Sequence, residues 1–531
     1  MEQEPTRKPT GPARNLSSVL ASPSRTYWSA FVLLSALMGL WAVANPPMAS
    51  PDEPAHVIKA AAVVRGQLTG VPDPGGPGSA TVEVPALYAY SLSVPSCYVL
   101  QTNVTAECIP DAPADLEAPT RAATWVVRNN PLYYAIVGLP TLLPASHFSF
   151  YLMRLVSALL TASVLAWAFR GFSEIKGRRF VGLGLLAATT PMVLFLGSTV
   201  NSSALEISAA LALWTSLLVV LRAPDPARLT GRMAGIAVLA VLLANSRGLA
   251  PVFLGVIVIT AVAVSPWHSF VAVVRDRRSW PWLAVAAMGF FASLAWIGLA
   301  GTLESGGNSG PGVSFAAGLK ASVAQTPSYI TGMLGHFGWL DTALPQWLYL
   351  WLAVAIGVTP VIAVLVAQTR KDQLAVLGVG ALALALPVLI QAWQAKNVGV
   401  IWQGRYSMPL MVGLPVVAGF VLRSGAPRVS DLRARPLFLT TASLLAIGHV
   451  AAFWVNLHRY VRGTAAPWFG SAATDWAPPV PTPVLLLGFA LAVVATVALI
   501  DVVSRSEERE TAPEALTEDG QGPRQTAEVA S

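Results

Sequence analysis

An all-α protein that crosses a membrane many times is the fold class this chain predicts, on three observations. Hydrophobic residues make up 54% of the 531 and charged residues only 11%, with a mean hydropathy of +0.59; soluble domains run near ~45–50% and ~25%. The apolar residues gather in blocks, all but one of about 17–21 residues and none with more than one acid or base, the length that spans a ~30 Å hydrocarbon layer. Within each block they run continuously instead of alternating, which excludes an outer-membrane barrel. Seventeen Trp and 41 Pro also exclude a coiled coil, and 34 Lys/Arg with 27 Asp/Glu are too few to coat several soluble domains.

The blocks run at 28–44, 151–169, 180–200, 203–221, 234–246, 249–266, 281–300, 347–367, 374–394, 406–422, 437–456 and 482–501, which predicts twelve spans. Residues 131–145 (PLYYAIVGLPTLLPA) are short and interrupted by Pro140 and Pro144, so they are read as lying along the interface. With the N-terminus inside, 23 of the 34 Lys and Arg fall in cytoplasmic segments, although the outer loops are much longer. That bias predicts both termini inside. A thirteenth span at 131–145 would invert it. The net charge of +7 is thereby a topology signal, not a nucleic-acid one.

Between the flanks, residues 26–503 form the membrane domain. Residues 1–25 and the acidic tail 504–531 are polar and expected to be disordered. The first outer loop, about 45–150, has the composition of a small extracytoplasmic subdomain. The second, about 301–346, opens GTLESGGNSGPG and is expected to be flexible. Ala42-Val43-Ala44 could mimic a signal-peptidase site, but the long basic lead-in favours an uncleaved anchor. Cys97 and Cys108, the only cysteines, share the first outer loop, where oxidation is permitted and a structural disulfide is expected. Asn103-Val-Thr and Asn201-Ser-Ser match a glycosylation pattern that chance also produces.

Ionisable residues from separated segments collect at the outer rim. Asp52, Glu53 and His56 follow the first span; Arg154 opens the second and Glu206 the fourth. Arg247 sits in the turn ANSRG, Asp341 precedes the eighth span, and Lys396 and Arg405 bracket the turn before the tenth. Each has a plain explanation. Asp52 suits a helix cap, Glu206 a helix start, His56 an interfacial hydrogen bond, and the arginines headgroup snorkelling. Their convergence at one face makes them candidates, because ionisable groups in membrane proteins mark functional sites.

The ordered strings SPDEPAH, NNPLYY, STVNSSALEISAA, ANSRGLAPV, GHFGWLDTALP and WQGRYSMPL, spread from about residue 28 to 460, resemble the DUF2142 family of predicted membrane proteins. That family is similar to the GT-C superfamily of membrane glycosyltransferases. The resemblance implies an acidic catalytic residue in the first outer loop, here Asp52 or Glu53, with Asp52 the principal one. It also implies a polyprenyl-phosphate sugar donor and a cell-envelope glycan or lipid acceptor. Asn130-Pro131-Leu132-Tyr133-Tyr134 departs from the usual motif by lacking its first proline. Asn201 and Glu206 stand where relatives often carry Asp, which leaves a second acidic metal ligand open. A divalent cation, Mg or Mn, held at Asp52 is the one cofactor implied.

The chemistry agrees with the residues. A carboxylate can deprotonate the acceptor hydroxyl or hold a cation. Arginines suit the departing phosphate, Arg405 foremost. No glycine-rich phosphate loop is present. Two rivals remain, a glycolipid or polymer transporter or flippase, and a non-catalytic envelope assembly protein. Transporters place polar sites near the midplane between repeats, whereas no repeat is visible here and the charges line one rim.

Overall fold

The computed structural model describes residues 20–73, 79–303, 312–425, 431–468 and 476–511. Helix α1 (Pro23–Ala44) opens on Ser22, whose side chain accepts from the Arg25 backbone, with Pro23 at the first helical position. The first outer segment follows as α2 (Glu53–Val63), strands β1 (Val71–Pro72) and β2 (Ala80–Pro85), α3 (Ala86–Tyr90), β3 (Pro119–Thr124) and α4 (Pro131–Val137). The membrane helices continue as α5 (Phe148–Ser173), α6 (Arg178–Ala188), α7 (Pro191–Gly197), α8 (Ser202–Arg222), α9 (Leu229–Ala244), α10 (Ala250–Ala263), α11 (Trp267–Arg275) and α12 (Trp280–Ala300). After α13 (Phe315–Gly335) and the hairpin β4 (His336–Phe337) to β5 (Thr342–Ala343) come α14 (Gln346–Val366), α15 (Arg370–Val398), α16 (Gly404–Met411), α17 (Gly413–Ser424), α18 (Asp431–Arg462) and α19 (Thr482–Thr511).

Every apolar block is helical. Among the described residues nine helices are long and apolar enough to cross a membrane, and two bent pairs raise the number to eleven. This is an all-α polytopic membrane protein. The block at 180–200 breaks at Pro191, which bends α6 against α7 by 64°. The block at 249–266 ends at Pro266, after which α11 turns away by 118°. The predicted span at 234–246 is α9, whose 16 residues reach only about 24 Å, short of the hydrocarbon layer. Twelve crossings therefore require α9 and both bent pairs.

Helix α8 is the central element: 94% of its apolar window is buried, and it packs on α5, α9, α10, α16 and α17. Trp41 ties distant elements together, its ring 5.2–6.1 Å from those of Phe195, Phe337, Phe453 and Phe489. Edge-to-face contacts of this kind add to plain burial. On the face carrying the basic loops, Glu174 meets Arg232 at 2.9 Å, Arg170 at 3.5 Å and Arg228 at 3.9 Å.

The segment at 131–145 does not cross: α4 has seven residues, and the turn behind it exposes Leu139, Leu142 and Leu143. The segment between α1 and α5 carries a three-stranded sheet whose buried side chains join the core of the membrane helices. Strand β2 pairs antiparallel with both β1 and β3, and Cys97 is disulfide-bonded to Cys108.

The second outer segment corrects the expectation of flexibility. Residues 304–311 lie outside the described residues, but 315–335 form the 21-residue helix α13, capped by Ser314 and packed on α15 and α16. Close approach explains its seat. A Cβ on Gly404 would lie 2.3 Å from the Tyr329 carbonyl oxygen, and one on Gly318 2.6 Å from Ala395. The flank expectations for 1–25 and 504–531 fall largely outside the described residues, except that α1 starts at Pro23 and α19 runs on to Thr511.

Candidate functional site

The site begins where α1 ends. Asp52 stands before α2 with φ +63°, a left-handed conformation that costs an L-residue roughly 1–2 kcal/mol and that Asp tolerates better than most. Three donors hold the turn: Asn201 Nδ2 donates to the Pro51 carbonyl at 3.0 Å, Arg405 Nη1 to the same oxygen at 3.3 Å, and Trp125 Nε1 to Asp52 Oδ1 at 3.0 Å. Arg405 Nη2 completes an ion pair with Asp52 Oδ2. Burial raises the Asp52 carboxyl, but the Arg405 guanidinium, with His56 and Trp125, outweighs it and holds the group below its ordinary value. Asp52 is therefore ionised at neutral pH, with 27% of its side chain exposed.

From Arg405 the contacts run on. Arg405 Nη2 donates to Tyr406 Oη at 3.2 Å, and the Arg247 guanidinium lies 4.5 Å over the Tyr406 ring. Arg247 Nη1 donates to Ser203 Oγ at 2.8 Å and stands 3.8 Å from Glu206 Oε2. Glu206, Arg247 and Tyr406 line a cavity of about 290 Å³ with Asn129, Trp393 and Trp402. Two buried polar atoms here have no hydrogen-bond partner among the described residues, Glu206 Oε2 and Arg405 Nε.

His56 closes the other side. Asn129 Nδ2 donates to Tyr134 Oη at 3.0 Å, and His56 Nδ1 shares a hydrogen bond with the same oxygen at 2.7 Å. Burial lifts the Tyr134 hydroxyl to about 12 and pushes the His56 imidazole down to about 3 against the opposing pull of Asp52. His56 is thus neutral.

Of the residues expected at the site, the structure brings together Asp52, His56, Glu206, Arg247 and Arg405. It separates the others. Glu53, expected as a second catalytic carboxylate, forms a buried two-pronged pair with Arg154, both contacts 2.7 Å, each side chain 1% exposed. The remaining Arg154 donors go to the carbonyls of Ala42, Asn45 and Pro46, so this pair clasps the end of α1 instead of facing substrate. Asp341 accepts from the Leu100, Trp339 and Thr342 donors at 3.0–3.2 Å and pairs with Arg459 at 3.6 Å, pinning the first outer segment. Lys396 is exposed and joins none of these contacts. Arg405, expected to bind phosphate, turns its Nη donors toward Pro51, Asp52 and Tyr406; the cation on the cavity wall is Arg247.

Sequence reasoning missed Trp125, Tyr406 and Arg459. Tyr406 was legible as the last residue of QGRY, whereas Trp125 carries no charge to mark it and Arg459 lies just past an apolar block. Asp52 was also the candidate ligand for a divalent cation. Among the described residues no three His, Cys, Asp or Glu side chains gather to hold a metal ion, and the groups facing Asp52 are an arginine and an indole N–H. That donor set does not suit a dication.

No curated protein and no solved structure matches the chain. Residues 35–414, which include every member of the Asp52–Arg405–Arg247–Glu206 cluster, match DUF2142, and the chain belongs to this family of predicted membrane proteins.

Proposed function

We propose that the protein is a glycosyltransferase that moves a sugar from a polyprenyl-phosphate donor to a cell-envelope glycan or lipid at the outer membrane face. The observation that carries this reading is the line of groups Asp52, Arg405, Tyr406, Arg247 and Glu206, which runs from a charged carboxylate held by one arginine to a second arginine on the wall of a cavity. In the transfer, the acceptor oxygen bonds to the anomeric carbon as the carbon–oxygen bond to the lipid phosphate breaks. The acceptor proton passes to Asp52, whose oxygens offer about four acceptor positions, only two of them filled. The negative charge left on the phosphate meets Arg247 at the cavity wall, and Arg405 holds Asp52 in place.

The outer location is supported by the basic-residue bias and by the disulfide on the same face as Asp52. The transporter reading fits less well, because the cluster lies where helices end and not at their midpoints. Purified protein in detergent, given polyprenyl phosphates bearing a pentose or a hexose and an envelope extract as acceptor, should transfer label to the extract. Asp52→Asn should lower turnover by at least ~10²-fold, the low end for losing a general base. Asp52→Asn protein as active as the wild type would sink the mechanism.

A further inference from the structure

Glu206 poses a problem that the transfer step does not solve. Its residue is 1% exposed on the most deeply buried of the nine long apolar helices, and Oε2 is buried with no hydrogen donor among the described residues. Arg247 approaches to 3.8 Å, too far for a hydrogen bond, and gives Nη1 to Ser203 instead. A buried carboxylate oxygen left without a donor costs on the order of 1–3 kcal/mol, so such an atom in a native fold calls for an explanation. The cavity that Glu206 lines supplies one. Its walls carry the amides Asn129, Gln394 and Asn397 and the aromatic side chains of Trp393, Trp402 and Tyr406. Flat apolar rings together with amides, one carboxylate and the Arg247 donors are complementary to a small polyhydroxylated ring, which has C–H faces to stack and hydroxyls that donate and accept. At about 290 Å³ the space lies at the low end for ligand cavities of roughly 300–1,000 Å³, room for one ring and not for an oligosaccharide.

We propose that this cavity is the seat of a single neutral sugar ring, one of whose hydroxyls donates to Glu206 Oε2. The inference rests on the transferase reading, since it names what that site holds, but it fails separately. The ring belongs either to the lipid-linked donor or to the acceptor, and the experiment separates these sources.

The only cysteines, Cys97 and Cys108, are joined to each other, so Val398→Cys places a unique free thiol on the cavity wall. Its alkylation by a maleimide is timed in full-length protein in detergent. The probes are a panel of methyl pentosides and hexosides, polyprenyl phosphates bearing the same sugars, and polyprenyl phosphate without sugar. At ten times the half-protecting concentration, a seated sugar should slow labelling about tenfold. Protection by free glycosides at least as good as by the lipid-linked sugars assigns the ring to the acceptor. Protection by the lipid-linked sugar far exceeding both its glycoside and the bare lipid assigns it to the donor. Glu206→Gln in the Val398→Cys background should keep the unprotected labelling rate and lose most of the protection. The proposal is overturned if no sugar-bearing probe slows labelling, if bare polyprenyl phosphate protects as well as the sugar-bearing form, or if Glu206→Gln leaves protection intact. Protection by a sugar in a protein that transfers none would instead overturn the transferase reading and leave the sugar seat standing.

Discussion

Two arginines that look alike in the sequence do different work. Arg247 is 25% exposed on the cavity wall, whereas Arg405 is 2% exposed and turned onto Asp52. Arg247→Ala should therefore weaken donor binding and raise KM, and Arg405→Ala should lower kcat with the larger share of the loss. Arg405→Lys should recover only part, because an ammonium cannot reach Pro51, Asp52 and Tyr406 from one planar fork. Steady-state kinetics on the three variants decide it; a KM effect at Arg405 alone would reverse the assignment. His56 makes a pH prediction. Its imidazole is held at about 3 when folded and returns to about 6.5 when unfolded, so the unfolded chain binds the extra proton. Its contribution to stability is complete above pH 6.5 and lost as pH falls toward 3, by about 1.4 kcal/mol per unit. Thermal unfolding across that window should slope less steeply in His56→Gln than in the wild type; equal slopes would refute it. The rim charges were legible because each lies at the start of an apolar block or in a segment between two blocks. What was not legible is how Asp52 and Glu53 divide their roles, since the left-handed backbone at Asp52 sends one carboxylate to Arg405 and the other to Arg154.

At the scale of elements, the membrane helices were readable from apolar length, and α13 was not. Its sequence mixes Gly, Ser, Lys and a central Pro327, so it lacks the continuous apolar run of a span, yet packing against α15 and α16 orders it. That packing aims Arg405, because α16 starts at Gly404 with its backbone against Gly332 and the Tyr329 carbonyl. Gly404→Ala should push α16 outward, at about 1–3 kcal/mol of stability for overpacking, and should reduce turnover with donor affinity largely kept. Melting temperature and kinetics measured on the same preparation test this. Unchanged melting and activity would show that α13 and α16 are not in close contact.

For the whole molecule, orientation carries the functional reading, since a polyprenyl-linked donor used at the outer face requires the Asp52 rim outside. Single reporter cysteines at Ser79 and Ala227, in protein whose own cysteines are replaced by serine, should be labelled by an impermeant reagent in intact cells at Ser79 only. Labelling at Ala227 would invert the molecule and remove the outer-face site. The same scale holds a consequence of the long-range pairs that close this rim. Asp52 bonds an arginine 353 residues further along, and Arg459 grips the carbonyls of Tyr98 and Val104 across 361 and 355 residues. Synthesis at about 5–20 residues per second separates such partners by about 18–70 seconds. The first loop and its acid therefore emerge long before Arg405 and Arg459 can hold them, while Cys97 and Cys108, 11 apart, can already cross-link. The order in which the chain is made thus closes the loop upon itself early and completes the charged centre only once Arg405 has been added.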